Sequence, residues 1–376
     1  MKNKPNEFDE YLQQSEPGRR DKAQTWRTAI GLQAVDGLTP SGYLVETAKR
    51  HIEGDISIDE VRALLDSYYE AKASRTTDDA DTEEADKVSA NITKLLNERT
   101  FSFSPAGLAA IHRRIFDGVF KFAGRFRQCN ISKREWVLQG ESVLYVGFSE
   151  IRQTLEYDLG VEREFSYKNL SPDEMIKHFA QFISGLWQIH PFREGNTRTT
   201  AVFAIKYLRA MGFPVANDLF AEHAWYFRNA LVRANYRNYA SKIEPVLAPL
   251  EFFFRNLLLN EHHELKNRAL IVAAPQEMSQ SSDRTSTGQV PDKLIPESPG
   301  ICRLLRVVGD QELSVKGMME ALSLRHRETF LANYLNPAID QGFVRLLYPD
   351  SPRHPRQKYL LTVKGTLAYQ ALNKKA

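Results

Sequence analysis

Within the twelve residues HPFREGNTRTTA, from His190 to Ala201, a histidine, a carboxylate, an amide and a guanidinium fall within nine positions. An imidazole is the side chain whose ordinary pKa suits general base work near neutrality, which makes His190 the candidate base. Glu194 is a hard oxygen ligand, and beside phosphates its natural partner is Mg²⁺, which takes few protein carboxylates and completes its shell from phosphate and water. Gly195 lets backbone approach a phosphate closely. Asn196 offers an amide donor, and Arg193 and Arg198 offer guanidinium forks matched to phosphate oxygens. Taken singly, each has a plainer reading: a histidine at a helix end is usually structural, and an Asn or Arg at a helix start is usually a cap or a solvated charge. Five such residues together are poorly explained by chance.

Two apolar helices must position this loop. Met175, Phe179, Phe182, Ile183 and Leu186 recur at helical spacing and run into His190, and Val202 to Met211 forms a second apolar helix. A loop feeding a helix N-terminus presents unpaired N–H groups and a favourable dipole, which together seat an anion. Upstream, Leu108, Ile111, His112, Ile115 and Phe116 mark another helix. The alternating segment Trp136 to Val146, with Gly140-Glu141 at its turn, predicts a β-hairpin.

On either side of this core the pattern changes. Residues 1–20 read as a disordered tail. Residues 21–75 form a small helical unit, with a break at Asp36-Gly37, a cap at Ser41 and a stop at Gly54. The acidic run Thr76 to Asp86 reads as a solvated linker or helix entry. The core spans 76–265, a Ser/Pro/Gly/Gln-rich linker 266–298, and a second compact unit 299–376. In that last unit helices over Val315–Leu322 and Leu331–Ile339 precede two strand-like runs, Phe343–Tyr348 and Gln357–Thr362, the order of a winged helix. Its basic residues Arg325, Arg327, Arg356 and Lys358 are candidates for DNA phosphate contacts, against the alternative of solvated charges on a protein-binding or structural unit.

The composition narrows the class. With 376 residues, 42% of them hydrophobic, there is ample material for a core. No run is long enough to span a membrane, and the polar start carries no apolar signal, so the expected location is the cytoplasm. Two cysteines, Cys129 and Cys302, make neither a disulfide framework nor a zinc site, and a net charge of +3 does not mark the whole chain as a nucleic-acid binder.

The string His190 to Arg198 resembles the Fic signature HPFx(D/E)GNxR, and the resemblance extends over about Ser89 to Glu261, including AGRFRQCNISK from Ala123 to Lys133. It implies a mainly α Fic core with a β-hairpin flap, flanked by a small N-terminal helical segment and a C-terminal winged-helix (α+β) domain. It also implies transfer of AMP from ATP, with Mg²⁺, onto a protein hydroxyl, its own included. His190 would deprotonate that hydroxyl and Glu194 would hold Mg²⁺. Gly195 and Asn196 would hold the α-phosphate, and Arg198 the outer phosphates. The flap residues Ile131, Lys133, Val143 and Tyr145 would align the target backbone. Tyr226 and Asn229 are candidates for the base pocket, with core packing an equal reading for Tyr226.

Two departures bear on the donor. The common signature continues GNGRxxR, whereas this chain has Thr197 and Ala201. The Thr197 side chain either crowds the phosphate path or replaces a backbone contact, and loss of the second Arg removes a phosphate partner, which leaves a different diphosphate donor or slow transfer open. Gly31 to Tyr69 resembles the antitoxin of Fic toxin–antitoxin pairs, whose inhibitory (S/T)xxxE(G/N) string aligns here with Leu32 to Gly37. Asp36 replaces the inhibitory Glu and Ala201 its partner Arg, so Asp36 and Gly37 are expected to form a weak or absent lock. The alternative function is a regulator that binds nucleotide weakly and acts through a DNA-binding winged helix. The expected partners are a protein with a Ser, Thr or Tyr hydroxyl, a nucleotide, and DNA or protein at the winged helix, with homodimerisation left open.

Overall fold

Apolar residues recur at helical spacing along most of the chain, and the backbone follows them. The computed structural model describes residues 8–13, 16–71, 77–98, 100–215, 218–272 and 294–374, and over these the chain is mainly α-helical. Among the described residues there is one sheet, of two strands. No helix among them is long and apolar enough to cross a membrane.

The N-terminal part contains α1 (Asp9–Gln13), α2 (Pro17–Gly31), a 3-10 turn (Leu32–Asp36), α3 (Gly42–Glu53) and α4 (Ile58–Glu70). Ser41 caps α3 by accepting from the Leu44 N–H at 3.0 Å, and Gly54 ends it in the left-handed region. Ser57 and Glu60 close a capping box on α4. Part of the predicted disordered tail is therefore helical: Phe8 and Tyr11 join Ala23 and Trp26 in one apolar cluster, which orders α1 and the start of α2. Residues 1–7 of that tail lie outside the described residues.

The acidic run opens a helix. Residues Thr77–Asn97 are one helix, α5, with Asp78 and Asp79 in its first turn, where they complement the helix dipole. Asp86 is fully buried and accepts from the Ser41 hydroxyl at 2.5 Å and the Tyr69 hydroxyl at 2.6 Å. Of the two readings of this run, solvated linker or helix entry, the helix entry is the one seen, and the helix packs against both α2 and α6.

The core is built from α6 (Pro105–Ile115), α7 (Ile151–Glu164), α8 (Pro172–Ile189), α9 (Asn196–Ala210), α10 (Leu219–Glu222), α11 (Ala224–Asn235) and α12 (Ala248–Leu259). Helix α8 opens with a Ser171–Glu174 capping box and packs against α7, α9, α11 and α12. Its stripe of Met175, Phe179, Ile183 and Leu186 lies in the largest apolar cluster of the molecule. This aligns the end of α8 and the start of α9 across one short loop.

The predicted β-hairpin is absent as a strand ladder. Trp136–Leu138 form a 3-10 turn that buries the adjacent residues Val137 and Leu138, which breaks the two-residue alternation a strand requires. The loop closes instead through the Glu135 N–H donating to the Glu141 carbonyl at 2.9 Å and the Lys133 N–H donating to the Ser142 hydroxyl at 3.1 Å.

Of the predicted linker, residues 273–293 lie outside the described residues. Beyond it come α13 (Pro299–Val308), α14 (Val315–Ala321), α15 (Arg327–Phe330), a π turn (Leu331–Leu335), α16 (Asn336–Asp340), β1 (Val344–Leu346), β2 (Tyr359–Leu361) and α17 (Val363–Lys374). The strands pair antiparallel with Val344 opposite Leu361, and this part has its own apolar cluster around Leu304, Met318 and Phe330. It meets the core where backbone lies on backbone: a Cβ at Gly212 would sit 2.2 Å from the Gly342 carbonyl oxygen.

Candidate active site

The loop from His190 to Gly195 is held by its own side chains. His190 ends α8 in the left-handed region, at φ 49°, a conformation that persists for a non-glycine residue only when its surroundings enforce it. Arg127 supplies that constraint. Its Nε donates to the His190 carbonyl at 2.8 Å, Nη1 donates to the Cys129 carbonyl at 2.7 Å, and Nη2 donates to the Val146 carbonyl. One buried guanidinium thus fixes the His190 loop and both ends of the segment from Cys129 to Val146.

Asn196 bonds within the loop. Its side chain accepts from the Phe192 N–H at 2.9 Å and donates to the Phe192 carbonyl at 2.8 Å, stapling the buried loop whose backbone groups need partners. Gly195 is at φ 76°, and a Cβ there would lie 2.1 Å from the Phe116 ring, so both conformation and space demand glycine. His112 completes the cradle: it accepts from the Gly124 N–H at Nδ1, so its Nε2–H donates to the Glu194 carbonyl at 3.0 Å. Burial lowers the His112 pKa to about 4, so the ring is neutral, as this bonding requires.

His190 is 2% exposed, beneath Tyr145, whose ring stacks on it at 4.1 Å, and beside Trp187. Its Nδ1 faces the Trp187 carbonyl at 3.3 Å, which fixes the proton on that nitrogen, and its Nε2 has no hydrogen-bond partner. Burial, with the Lys133 charge second, holds its pKa well below the usual value. The result is a neutral imidazole whose free lone pair faces the flap.

Helix α9 begins at Asn196 with no side chain capping its N–H groups. Thr197 points away from that end: its hydroxyl accepts from the Trp187 indole N–H at 3.0 Å, joining α9 to α8 and leaving the backbone amides uncovered. Glu194 is paired with Lys133 at 2.7 Å, and Arg193 lies outward over the Phe122 ring. Among the described residues no group of three or more His, Cys, Asp or Glu side chains is placed to hold a metal ion.

Arg198 is 1% exposed and lies over the Phe116 ring. It donates to Glu84 Oε1 at 2.7 Å and to Gln33 Oε1 at 3.1 Å. Its Nε lies 2.8 Å from Asp36 Oδ2, a charge contact without hydrogen-bond alignment. The other Asp36 oxygen accepts from Arg228 on α11 at 3.0 Å, and Arg228 donates to both oxygens of buried Glu135 at 3.1 and 3.2 Å. Gly37, at φ 73°, reverses the chain directly after Asp36. Without a guanidinium at 201, Asp36 engages Arg198 and Arg228.

The remaining candidates are placed as follows. Tyr145 and Val143 are buried, Leu144 between them is 85% exposed, and Ile131 and Lys133 are half-buried. Tyr226 and Asn229 face the core: the Tyr226 hydroxyl donates to the Pro249 carbonyl, and Asn229 donates to Asn267 Oδ1 at 2.7 Å while its own Oδ1 is buried without a partner. Arg325, Arg327, Arg356 and Lys358 are exposed in the C-terminal part, far in sequence from this loop, with Lys358 3.5 Å from Glu312. Arg127, Glu84, Glu135 and Arg228 were not singled out from sequence. Single charged residues carry no periodic signal, and only the fold pairs Glu84 with Arg198, Glu135 with Arg228 and Arg127 with the His190 carbonyl.

Residues 102–208 match the Fic/DOC family, and residues 299–362 match the C-terminal domain of Fic-like filamentation-induced-by-cAMP proteins. A protein of Sinorhizobium fredii (strain NBRC 101917 / NGR234), named "Probable protein adenylyltransferase y4lH", is 31% identical over 105 residues. That match covers 28% of this chain and 52% of that protein, about half its length. A Fic family protein from Desulfovibrio desulfuricans G20 aligns over 95% of this chain and 94% of its own at 21% identity, with a TM-score of 0.43. The N-terminal Fic domain of a VirB-translocated Bep effector protein from Bartonella quintana aligns over 49% of this chain and 84% of its own at 21% identity, with a TM-score of 0.39.

Proposed function

We propose, from the premise that the central domain of this chain belongs to the Fic/DOC family, that the protein transfers AMP from ATP to a side-chain hydroxyl of a protein. The observation that carries this reading is the His190 imidazole, neutral, with Nε2 unprotonated and free of any partner, at the mouth of an uncapped helix N-terminus. In the reaction, the target oxygen attacks the α-phosphorus in line, its proton passes to His190 Nε2, the bond from the α-phosphorus to the bridging oxygen breaks, and pyrophosphate leaves. The N–H groups at the start of α9 face the charge that develops on the phosphoryl oxygens. Mg²⁺, held by Glu194 and the donor's phosphates, would neutralise phosphate charge when bound. Lys133 would then give up its ion pair with Glu194. Tyr145 must move for a target to reach Nε2, and the segment around exposed Leu144 is the surface a target backbone meets first.

One observation favours a second reading, a weakly active or inactive nucleotide-binding regulator. Arg198 is engaged by two carboxylates and an amide, so the donor's outer phosphates must displace Asp36. In that reading the C-terminal part is a cytoplasmic DNA reader using exposed Arg325, Arg327, Arg356 and Lys358.

Intact-protein mass spectrometry after incubation with MgATP and cell lysate separates the two. The transferase reading expects added mass of one AMP on this chain or on a lysate protein, absent with His190→Ala. No adduct in either sample, together with a salt-sensitive gel shift of DNA by the full chain, would favour the regulator.

A further inference from the structure

Arg228 belongs to no part of the loop motif, yet it shares a carboxylate with Arg198. Asp36 presents one oxygen to each: Oδ2 to Arg198 Nε at 2.8 Å and Oδ1 to Arg228 Nη1 at 3.0 Å. The two guanidiniums come from different helices, α9 and α11, and both side chains are largely buried. Convergence of two planar forks on one small anion is the arrangement that binds a phosphoryl group, whose oxygens accept several charge-assisted hydrogen bonds at once.

Each arginine also has its own anchor. Glu84 holds Arg198 at 2.7 Å, and Glu135 holds Arg228 at 3.1 Å. When the Asp36 carboxylate leaves, these two pairs remain neutral and in place, with an anion-sized gap between them. The Arg228 charge reaches the reaction centre, since it is among the groups that disfavour a proton on His190. At 201, where the common signature has a second arginine, the chain has a fully buried alanine, so the second turn of α9 supplies no cation.

We propose that Arg198 and Arg228 form the clamp for the terminal phosphates of the donor, and that Asp36 is its intramolecular stand-in. Arg228 thereby replaces the guanidinium missing at 201 and makes the site selective for a di- or triphosphate over a monophosphate. This rests on the reading of the His190–Arg198 loop as a nucleotide site.

Calorimetric titration of the full chain tests it with three ligands: MgATP, AMP and inorganic tripolyphosphate. Arg228→Ala alone would leave buried Glu135 charged and unpaired. The variant used is therefore Arg228→Gln with Glu135→Gln, which keeps a hydrogen bond between the two positions and removes both charges. Asp36→Ala is expected to tighten MgATP and tripolyphosphate by about tenfold or more while AMP changes less than about twofold. Adding the Gln pair to Asp36→Ala is expected to weaken MgATP and tripolyphosphate by about ten- to a hundredfold and to leave AMP as it was. Equal weakening of all three ligands, or none, overturns the clamp while the nucleotide site stands. Arg228-dependent binding of tripolyphosphate with no binding of ATP or AMP keeps the clamp and removes the nucleotide reading. No binding of any ligand to Asp36→Ala overturns both.

Discussion

Arginines in two regions of this molecule face opposite circumstances. Around the His190 loop, Arg127, Arg198 and Arg228 are buried or nearly so, and each is met by carbonyls or carboxylates. In the C-terminal part, Arg325, Arg327 and Arg356 stand in solvent. A desolvated guanidinium is tolerated only with partners, so every buried one organises the backbone or side chains about it, whereas an exposed one constrains nothing. The comparison teaches where arginine acts on structure and where it is free for a partner outside the chain.

The contrast breaks first at Arg127. Arg127→Ala removes donors from three backbone carbonyls, that of buried His190 among them, and is expected to destabilise the protein by about 3–5 kcal/mol. Urea unfolding measures it, and a loss under about 1 kcal/mol would mean that the loop holds itself. Gly195→Ala comes next. The added Cβ meets the Phe116 ring and the backbone is left-handed, for an expected cost of about 1–3 kcal/mol in the same assay.

Buried imidazoles give a pH counterpart. Desolvation lowers His51 and His112 to about 4 and holds His190 well below its ordinary value. Below about pH 6.5 the unfolded chain binds protons that the folded chain refuses. Stability is therefore fully present above that pH and falls as the pH drops toward 4, by up to about 1.4 kcal/mol per pH unit for each imidazole. Melting temperatures at pH 7.5 and 5 that coincide would contradict this. The smallest effect belongs to the exposed set: Arg325→Ala, Arg327→Ala and Arg356→Ala are each expected to change stability by less than about 0.5 kcal/mol. A larger change in thermal unfolding would show that these side chains serve the fold.

The same contrast explains what was legible in the sequence. The α8 stripe, the cap at Ser41 and the glycine of the loop are local signals, and the structure follows them. The flap was misread because Val137 and Leu138 are both buried in a 3-10 turn, which alternation of apolar residues does not encode. The acidic run left linker and helix entry open, because Asp86 acquires its partners, Ser41 and Tyr69, only on folding. Asn196 was correctly placed in the loop, but its bonding to Phe192 depends on a turn that residue types alone do not specify. Arg228 and Glu135 lie 93 positions apart and meet through tertiary packing, so spacing offers no hint of them.

The proposed transfer requires His190 as the base and displacement of Asp36 from Arg198. The direct measurement is incorporation of label from α-³²P-ATP with Mg²⁺ and lysate, comparing the native chain, Asp36→Ala, and Asp36→Ala with His190→Ala. The account predicts weak labelling by the native chain, at least about tenfold more with Asp36→Ala, and loss of about a hundredfold or more when His190 is also removed. Labelling that is undiminished without His190, or absent from all three proteins, would contradict it.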